Sequence, residues 1–325
     1  MAKWDLPPKG GHMDQASGVY FQNMTGRQVR ERLVKDDVIL IPLGSTEAHG
    51  DGAPFGEDTF LVTRMAEQVA LRTGCTVAQP IWYGSHPWSH LGMPGTVIIP
   101  EDTFTAVVRA VITGLWNAGF RKQILLNGHG QEYVIPSAIH QFAKTYQVPA
   151  VLAFVNWPLI IPDQLKDKAH GGPFETPFKH ADEAETSYSM ALFPEMVHIE
   201  DAIDTNPSGF LPKEKGLRHI DGGGDIYQRP LPGHAQVGLG GLEVCVYPEG
   251  VVGKPSLASP EKAYSGVERI LDYIVELHDD ILETFPPGVL PPADKVSQRS
   301  KEEIDAVVRG PFNGGRHIYT IAYPP

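Results

Sequence analysis

Glu47 and His49 stand two residues apart in the glycine-rich stretch Gly44-Ser45-Thr46-Glu47-Ala48-His49-Gly50-Asp51-Gly52. In extended chain that spacing places a carboxylate and an imidazole on one face. Asp58 follows where the next helix should begin, as an N-cap or first-turn acid. Imidazole nitrogens and carboxylate oxygens together are ligands for zinc, manganese and similar divalent ions. Two further places offer the same chemistry. Asn127-Gly128-His129-Gly130-Gln131-Glu132 holds an imidazole between two glycines. In His180-Ala181-Asp182-Glu183-Ala184-Glu185-Thr186-Ser187, His180 and Glu183 are spaced i, i+3, one face of a helix. Taken singly, each has an ordinary reading: a polar loop with a helix cap, a turn with an incidental histidine, a surface pair. Taken together, three histidine–carboxylate clusters at element boundaries point to a metal site. More than one acid per histidine suggests two metals sharing a carboxylate. Such a pair lowers the pKa of a bridging water and polarises a carbonyl.

The elements that must position these residues are legible in the apolar pattern. Val38-Ile39-Leu40-Ile41-Pro42-Leu43 reads as a buried strand, within 37–43, directly before the first cluster. Residues 27–35 read as a short helix. Residues 59–73 show helical periodicity and stop at Gly74, and 102–118 do so and stop at Gly119. Strands are expected at 75–80, 124–126 and 150–155, and helices at 133–146, 182–193 and 260–284. Further strands are expected near 234–239 and 243–247. This alternation predicts an α/β fold of three layers, α/β/α, around a mainly parallel sheet. In such sheets ligands sit beyond the carboxyl ends of the strands, where the first two clusters fall. Gly238-Leu239-Gly240-Gly241 lacks the strand–turn–helix context of a dinucleotide fingerprint and reads as a tight turn. The organisation is an N-terminal extension over 1–25, a main α/β domain over 26–285 and a Pro-rich tail over 286–325. The tail is expected to wrap the surface or a neighbouring subunit.

Composition narrows the function classes. The chain has 325 residues, 42% hydrophobic and 20% charged, enough for one large α/β domain or two small ones. A formal net charge of −12 argues against nucleic acid and anionic membrane surfaces as partners. Cys75 and Cys245 form no zinc-binding spacing and read as core residues. No run of about 18 apolar residues suggests a membrane span, and the first residues lack a signal-peptide core. A cytoplasmic protein is the expectation.

The motifs resemble those of the creatininase family of metal-dependent amidohydrolases. The family's G-x-x-E-x-H-G…D pattern is similar to Gly44, Glu47, His49, Gly50 and Asp58. Its N-G-H-G pattern corresponds to Asn127-Gly128-His129-Gly130, and its H-A-G-E-x-E-T-S pattern to 180–187, with Asp182 in place of glycine. Weaker matches are Ser89-His90-Leu91-Gly92-Met93-Pro94-Gly95-Thr96 and Gly250-Val251-Val252-Gly253-Lys254-Pro255. The resemblance implies a creatininase-like fold and two divalent ions per chain, zinc or manganese. Glu47, Asp58 and His129 would hold one. His49, Asp58 and a further glutamate would hold the other, with Asp58 bridging. Creatinine hydrolases take that glutamate two residues after the N-G-H histidine, where this chain has Gln131. Other members take it three residues after the H-A-G histidine, which is Glu183 here. Glu183 is therefore assigned, with Glu132 as the alternative. His180 matches the family's general acid/base. Asp51 and Glu57 are left without a metal role, and Glu185 and Thr186 are assigned to packing and capping.

The substrate implied is a small polar ring opened by hydroxide attack on a carbonyl. It could be a cyclic amide or a cyclic keto-inositol such as 3-dehydro-scyllo-inosose, as assigned to some longer members. A second tryptophan expected before His180 is missing, which counts against creatinine. His90, Glu132, Asn156 and Trp157 are candidates for holding substrate. His86 and Trp88 share the loop with His90, and a structural role for His86 is as good a reading. A formamide deformylase and a non-catalytic metal-binding scaffold are the alternatives. The family also implies a homo-oligomer, a hexamer.

Overall fold

The computed structural model describes residues 18–206 and 249–321. The strands expected near 234–239 and 243–247, the turn at 238–241, and Cys245 lie outside the described residues. Four parallel strands form the sheet, in the order β2-β1-β3-β4. They are β1 (Val38–Leu43), β2 (Thr76–Val77), β3 (Lys122–Asn127) and β4 (Val151–Asn156). Every residue of β1 and β3 is buried, as expected for central strands covered on both faces. Alternation along β1 sends Val38 and Leu40 into one core and Ile39, Ile41 and Leu43 into the other.

Helices α2 (Glu57–Thr73), α5 (Glu183–Leu192) and α6 (Pro260–Thr284) supply the first core. Helices α1 (Gly26–Lys35), α3 (Glu101–Ala118), α4 (Ile135–Tyr146) and α7 (Lys301–Arg309) cover the other face. The layers are therefore α/β/α. Helices α2 and α3 end where glycine predicts: Gly74 and Gly119 adopt left-handed φ of 87° and 113° and their N–H groups close the last turns. The second strand is shorter than 75–80.

Both terminal segments join this frame. Val77 donates to the Val19 carbonyl, so the chain before α1 adds to the β2 edge. The segment after α6 is pinned by a buried ion pair. Lys122 Nζ lies 2.6 Å from Asp37 and donates to the Pro286 carbonyl, while Gly288 N–H donates to the same Asp37. Helix α7 then packs Val307 into the second core, and Arg299 donates to the carbonyls of Thr145 and Tyr146. No described helix is long and apolar enough to cross a membrane.

Candidate metal centre

The register of the sheet builds the site. Leu43 and Asn127 are paired neighbours at the carboxyl ends of β1 and β3, so the two loops leave side by side. Two glycines let α2 close over them. A Cβ on Gly44 would lie 2.1 Å from Thr59 Oγ1, and one on Gly128 would lie 2.2 Å from the Asp58 carbonyl oxygen. Any side chain at either position would push the start of α2, and Asp58 with it, off the strand ends.

Glu47, His49, Asp58 and His129 converge there, all buried. His129 Nδ1 is 2.8 Å from Glu47 Oε2 and 3.0 Å from Asp58 Oδ2. His49 Nε2 is 3.6 Å from Asp58 Oδ1. The two oxygens of Asp58 thus face two different imidazoles. Backbone carbonyls fix both rings. His129 Nε2 lies 3.0 Å from the Ser85 carbonyl, and His49 Nδ1 lies 3.1 Å from the Glu47 carbonyl. A carbonyl can only accept, so each of these nitrogens carries the proton. The opposite nitrogen of each ring then presents its lone pair to Asp58, the arrangement that orients metal-binding histidines.

His180 completes the centre from a third direction. Its backbone pairs with Val252, not with helix α5. Ala181 then takes a left-handed φ of 47°, Asp182 caps the helix by accepting from Glu185 N–H, and α5 begins at Glu183. His180 Nε2 donates to the Ala48 carbonyl at 2.9 Å and stands 3.6 Å from Glu47 Oε1. Its Nδ1 is left bare, 3.8 Å from Glu185 Oε2.

This turn corrects the i, i+3 expectation. Because His180 lies outside the helix, Glu183 does not share its face. Glu183 accepts from Glu175 N–H, Thr176 N–H, Thr176 Oγ1 and Lys262 Nζ, the last at 2.5 Å. It is a buried ion-pair and turn-capping residue, with its oxygens already used. Glu185, assigned to packing and capping, does accept from Ala181 N–H at 2.6 Å, and the same Oε2 stands 3.8 Å from His49 Nε2 at the centre. Gln131 is likewise committed: it accepts from Ser85 N–H and donates to the Gly44 carbonyl and Asn127 Oδ1.

The substrate candidates divide. His90 enters the centre, with Nδ1 2.9 Å from Glu47 Oε1. His86 follows it, its Nδ1 3.1 Å from His90 Nδ1. Trp157 is a core residue, packed on Phe178 and Tyr188, and is corrected to that role. Asn156 accepts from Asn127 Nδ2 at 3.0 Å, tying β4 to β3 rather than facing the pocket. Glu132 joins none of the metal-competent groups among the described residues. Sequence reasoning missed Glu57, which is fully buried, 3.4 Å from His49 Nε2. Its neighbour Asp58 was the only signal available. For Glu185, Asp182 as an N-cap was the available signal, since it places His180 before the helix.

The charge balance of this pocket fits bound cations. Burial would pull the His49 ring down, but Glu57, Asp58 and Glu185 override it and push it up to about 10. His129 rises well above its ordinary value, again against burial, through Glu47 and Asp58. Burial, reinforced by neighbouring acids, holds Glu185 well above the usual carboxylate range. Glu47 goes the other way: three histidines outweigh burial and hold it low. His180 is lowered to about 4 and His86 to about 2, burial being the main cause in both. Glu47 Oε1, His49 Nε2 and Glu57 Oε2 are buried without a hydrogen-bond partner. Buried orphans are costly. Divalent cations would satisfy these atoms and the excess of carboxylates.

Comparison with known proteins agrees. The family model for creatininase, described as creatinine amidohydrolase, matches residues 22–278. A 3-dehydro-scyllo-inosose hydrolase of Thermotoga maritima is 60% identical over 309 residues, covering 95% of this chain and 98% of that protein. A solved creatininase described as a manganese form shares the fold, with a TM-score of 0.62 at 24% identity over 83% of this chain and 99% of its own. A mutant creatininase described as the Zn-Zn type gives a TM-score of 0.60 at 23% identity, over 82% and 98%. The chain belongs to the creatininase family, and it is a metal-dependent hydrolase.

Proposed function

We propose that the reaction is the hydrolytic ring opening of 3-dehydro-scyllo-inosose, at a site holding two divalent ions. The observation that carries the two-ion reading is the pair of histidines fixed by carbonyls and turned to opposite oxygens of Asp58. Glu47, His129 and Asp58 hold one ion, and His49, Asp58 and Glu185 the other. The substrate assignment rests on the 60% identity to the Thermotoga maritima enzyme. The absence of the second tryptophan expected before His180 also counts against a creatinine ring.

Bound zinc or manganese would supply a water of lowered pKa and Lewis-acid polarisation of a carbonyl. The chain's own residues do the rest. The substrate is a polyhydroxylated ring with two ketones flanking one carbon. Water oxygen adds to one carbonyl carbon, and the bond from that carbon to the carbon between the ketones breaks. The electron pair is delocalised into the second ketone. A proton then reaches the released carbon, and a linear keto-acid results. His180 would move that proton: its Nε2–H is held by the Ala48 carbonyl, which leaves Nδ1, 3.8 Å from Glu185 Oε2, to accept it. His90 beside Glu47 is placed to meet a ring hydroxyl. The family resemblance implies in addition a homo-oligomer, a hexamer, which light scattering of the purified protein would reveal.

A substrate panel tests the reading: metal-loaded protein is offered 3-dehydro-scyllo-inosose, creatinine, cyclic ureides and formamides. Turnover of the dehydro-inosose alone supports it. Turnover of creatinine or a formamide with none of the diketone refutes it.

A further inference from the structure

Glu57 opens helix α2, where a carboxylate gains modestly from the helix dipole if it is at the surface. This one is fully buried, with 0% exposure. A buried carboxylate is stabilised only by full pairing. Ser189 Oγ donates to Glu57 Oε1. Oε2 accepts no hydrogen bond, and it points at His49 Nε2 from 3.4 Å. His49 Nε2 is itself buried and without a hydrogen-bond partner, its proton being on Nδ1. Glu185 Oε2 stands 3.8 Å from the same nitrogen, and the ligand atoms of His49, Glu57 and Glu185 all lie within 4.8 Å of one another. Two facing lone pairs at this distance repel, so either a proton or a cation must join them.

The neighbouring amide offers no replacement. Gln131 is uncharged and spent on Ser85, Gly44 and Asn127. Lys262, whose ammonium reaches α5 at Glu183, is spent there and on the Leu257 carbonyl.

We propose that Glu57 is a ligand of the ion on the His49 side, through Oε2, with Ser189 orienting it through Oε1. That side then binds through one nitrogen and the carboxylates of Glu57, Asp58 and Glu185. The inference rests on the two-ion reading above. Zinc bonds carboxylate oxygen at about 2.0–2.2 Å and imidazole nitrogen at about 2.0–2.1 Å, so donor atoms 3.4 Å apart, as Glu57 Oε2 and His49 Nε2 are, can share one coordination sphere.

The test is chelator competition on intact protein loaded with zinc or manganese, for wild type, Glu57→Gln and Glu57→Ala. Wild type is expected to retain two ions. Both variants are expected to keep one tightly and to release the other at least about tenfold more readily. If wild type holds two ions and both variants match its chelator resistance, Glu57 is not a ligand. If wild type holds fewer than two ions, the two-ion reading fails and takes the inference with it. Should the variants not fold, the metal-loaded wild-type crystal structure decides. Glu57 Oε2 within about 2.0–2.6 Å of an ion supports the assignment. Oε2 bonded only to protein, beyond about 3 Å from either ion, overturns it.

Discussion

Around Glu47 stand the imidazoles of His90, His129 and His180, with His86 behind them; around His49 stand the carboxylates of Glu57, Asp58 and Glu185. The two sides of the centre are near inversions of each other, hinged on Asp58. The same burial therefore has opposite results. Glu47 is held ionised by its histidines, whereas His49 draws a proton and Glu57 and Glu185 resist ionising. The nitrogen-rich side has the donor set that suits zinc, and the oxygen-rich side accepts harder ions such as manganese. Charge compensation is therefore not uniform across the pocket: the His49 side carries the larger excess of buried carboxylate.

The largest expected effect belongs to the group that stands between the two sides. His180→Ala should retain bound metal on both sides and lose about 10²–10⁴ in turnover, read by steady-state kinetics beside metal analysis. Unchanged turnover would remove His180 from proton transfer. Next come two glutamates two residues apart on α5, which the comparison separates. Glu185→Gln should weaken metal on the His49 side alone, with little change in fold. Glu183→Gln should leave metal binding intact and destabilise the protein by about 2 kcal/mol or more, because it strands Lys262 and the 175–176 turn. Denaturant titration with parallel metal analysis reads both, and a Glu183 variant that loses metal would break the assignment.

The smallest effect is a pH dependence confined to stripped protein. The His49 pKa is raised in the folded state from 6.5 to about 10. The folded state then binds the extra proton between these values, so its stabilising contribution is complete below about 6.5 and lost as pH rises through about 10. Metal-stripped protein should therefore lose stability over that window, whereas metal-loaded protein should not. Thermal melts across the window check this, and parallel curves with and without metal would contradict it.

Much of the Glu47 side could be read from sequence. A buried apolar strand followed by Glu-x-His leaves few options, since the strand fixes where the loop starts and period-two geometry fixes the faces. Asp58 and His129 enter through the family motifs rather than through geometry, and the layer architecture follows from the strand–helix alternation. The His49 side was less legible for a local reason. Helical spacing was applied across His180 and Glu183, but the helix begins only after the left-handed Ala181 and the Asp182 cap. With the helix starting there, Glu185 rather than Glu183 lies near His49. Glu57 was obscured because an acid in a first turn is ordinary at a surface, and only burial makes it unusual. Trp157 and Asn156 follow β4 directly, as a pocket residue would. Which way each side chain is committed was set by Tyr188, Phe178 and Asn127, all distant in sequence.

On the reading proposed above, Asp58 joins two ions of unlike surroundings. Anomalous diffraction from crystals of the metal-loaded protein tests it most directly. The result predicted is two peaks, one bonded to Glu47, His129 and one oxygen of Asp58, the other to His49, Glu185 and the second oxygen of Asp58. A single peak, or two peaks with Asp58 bonded to neither or Glu183 bonded to either, would contradict it.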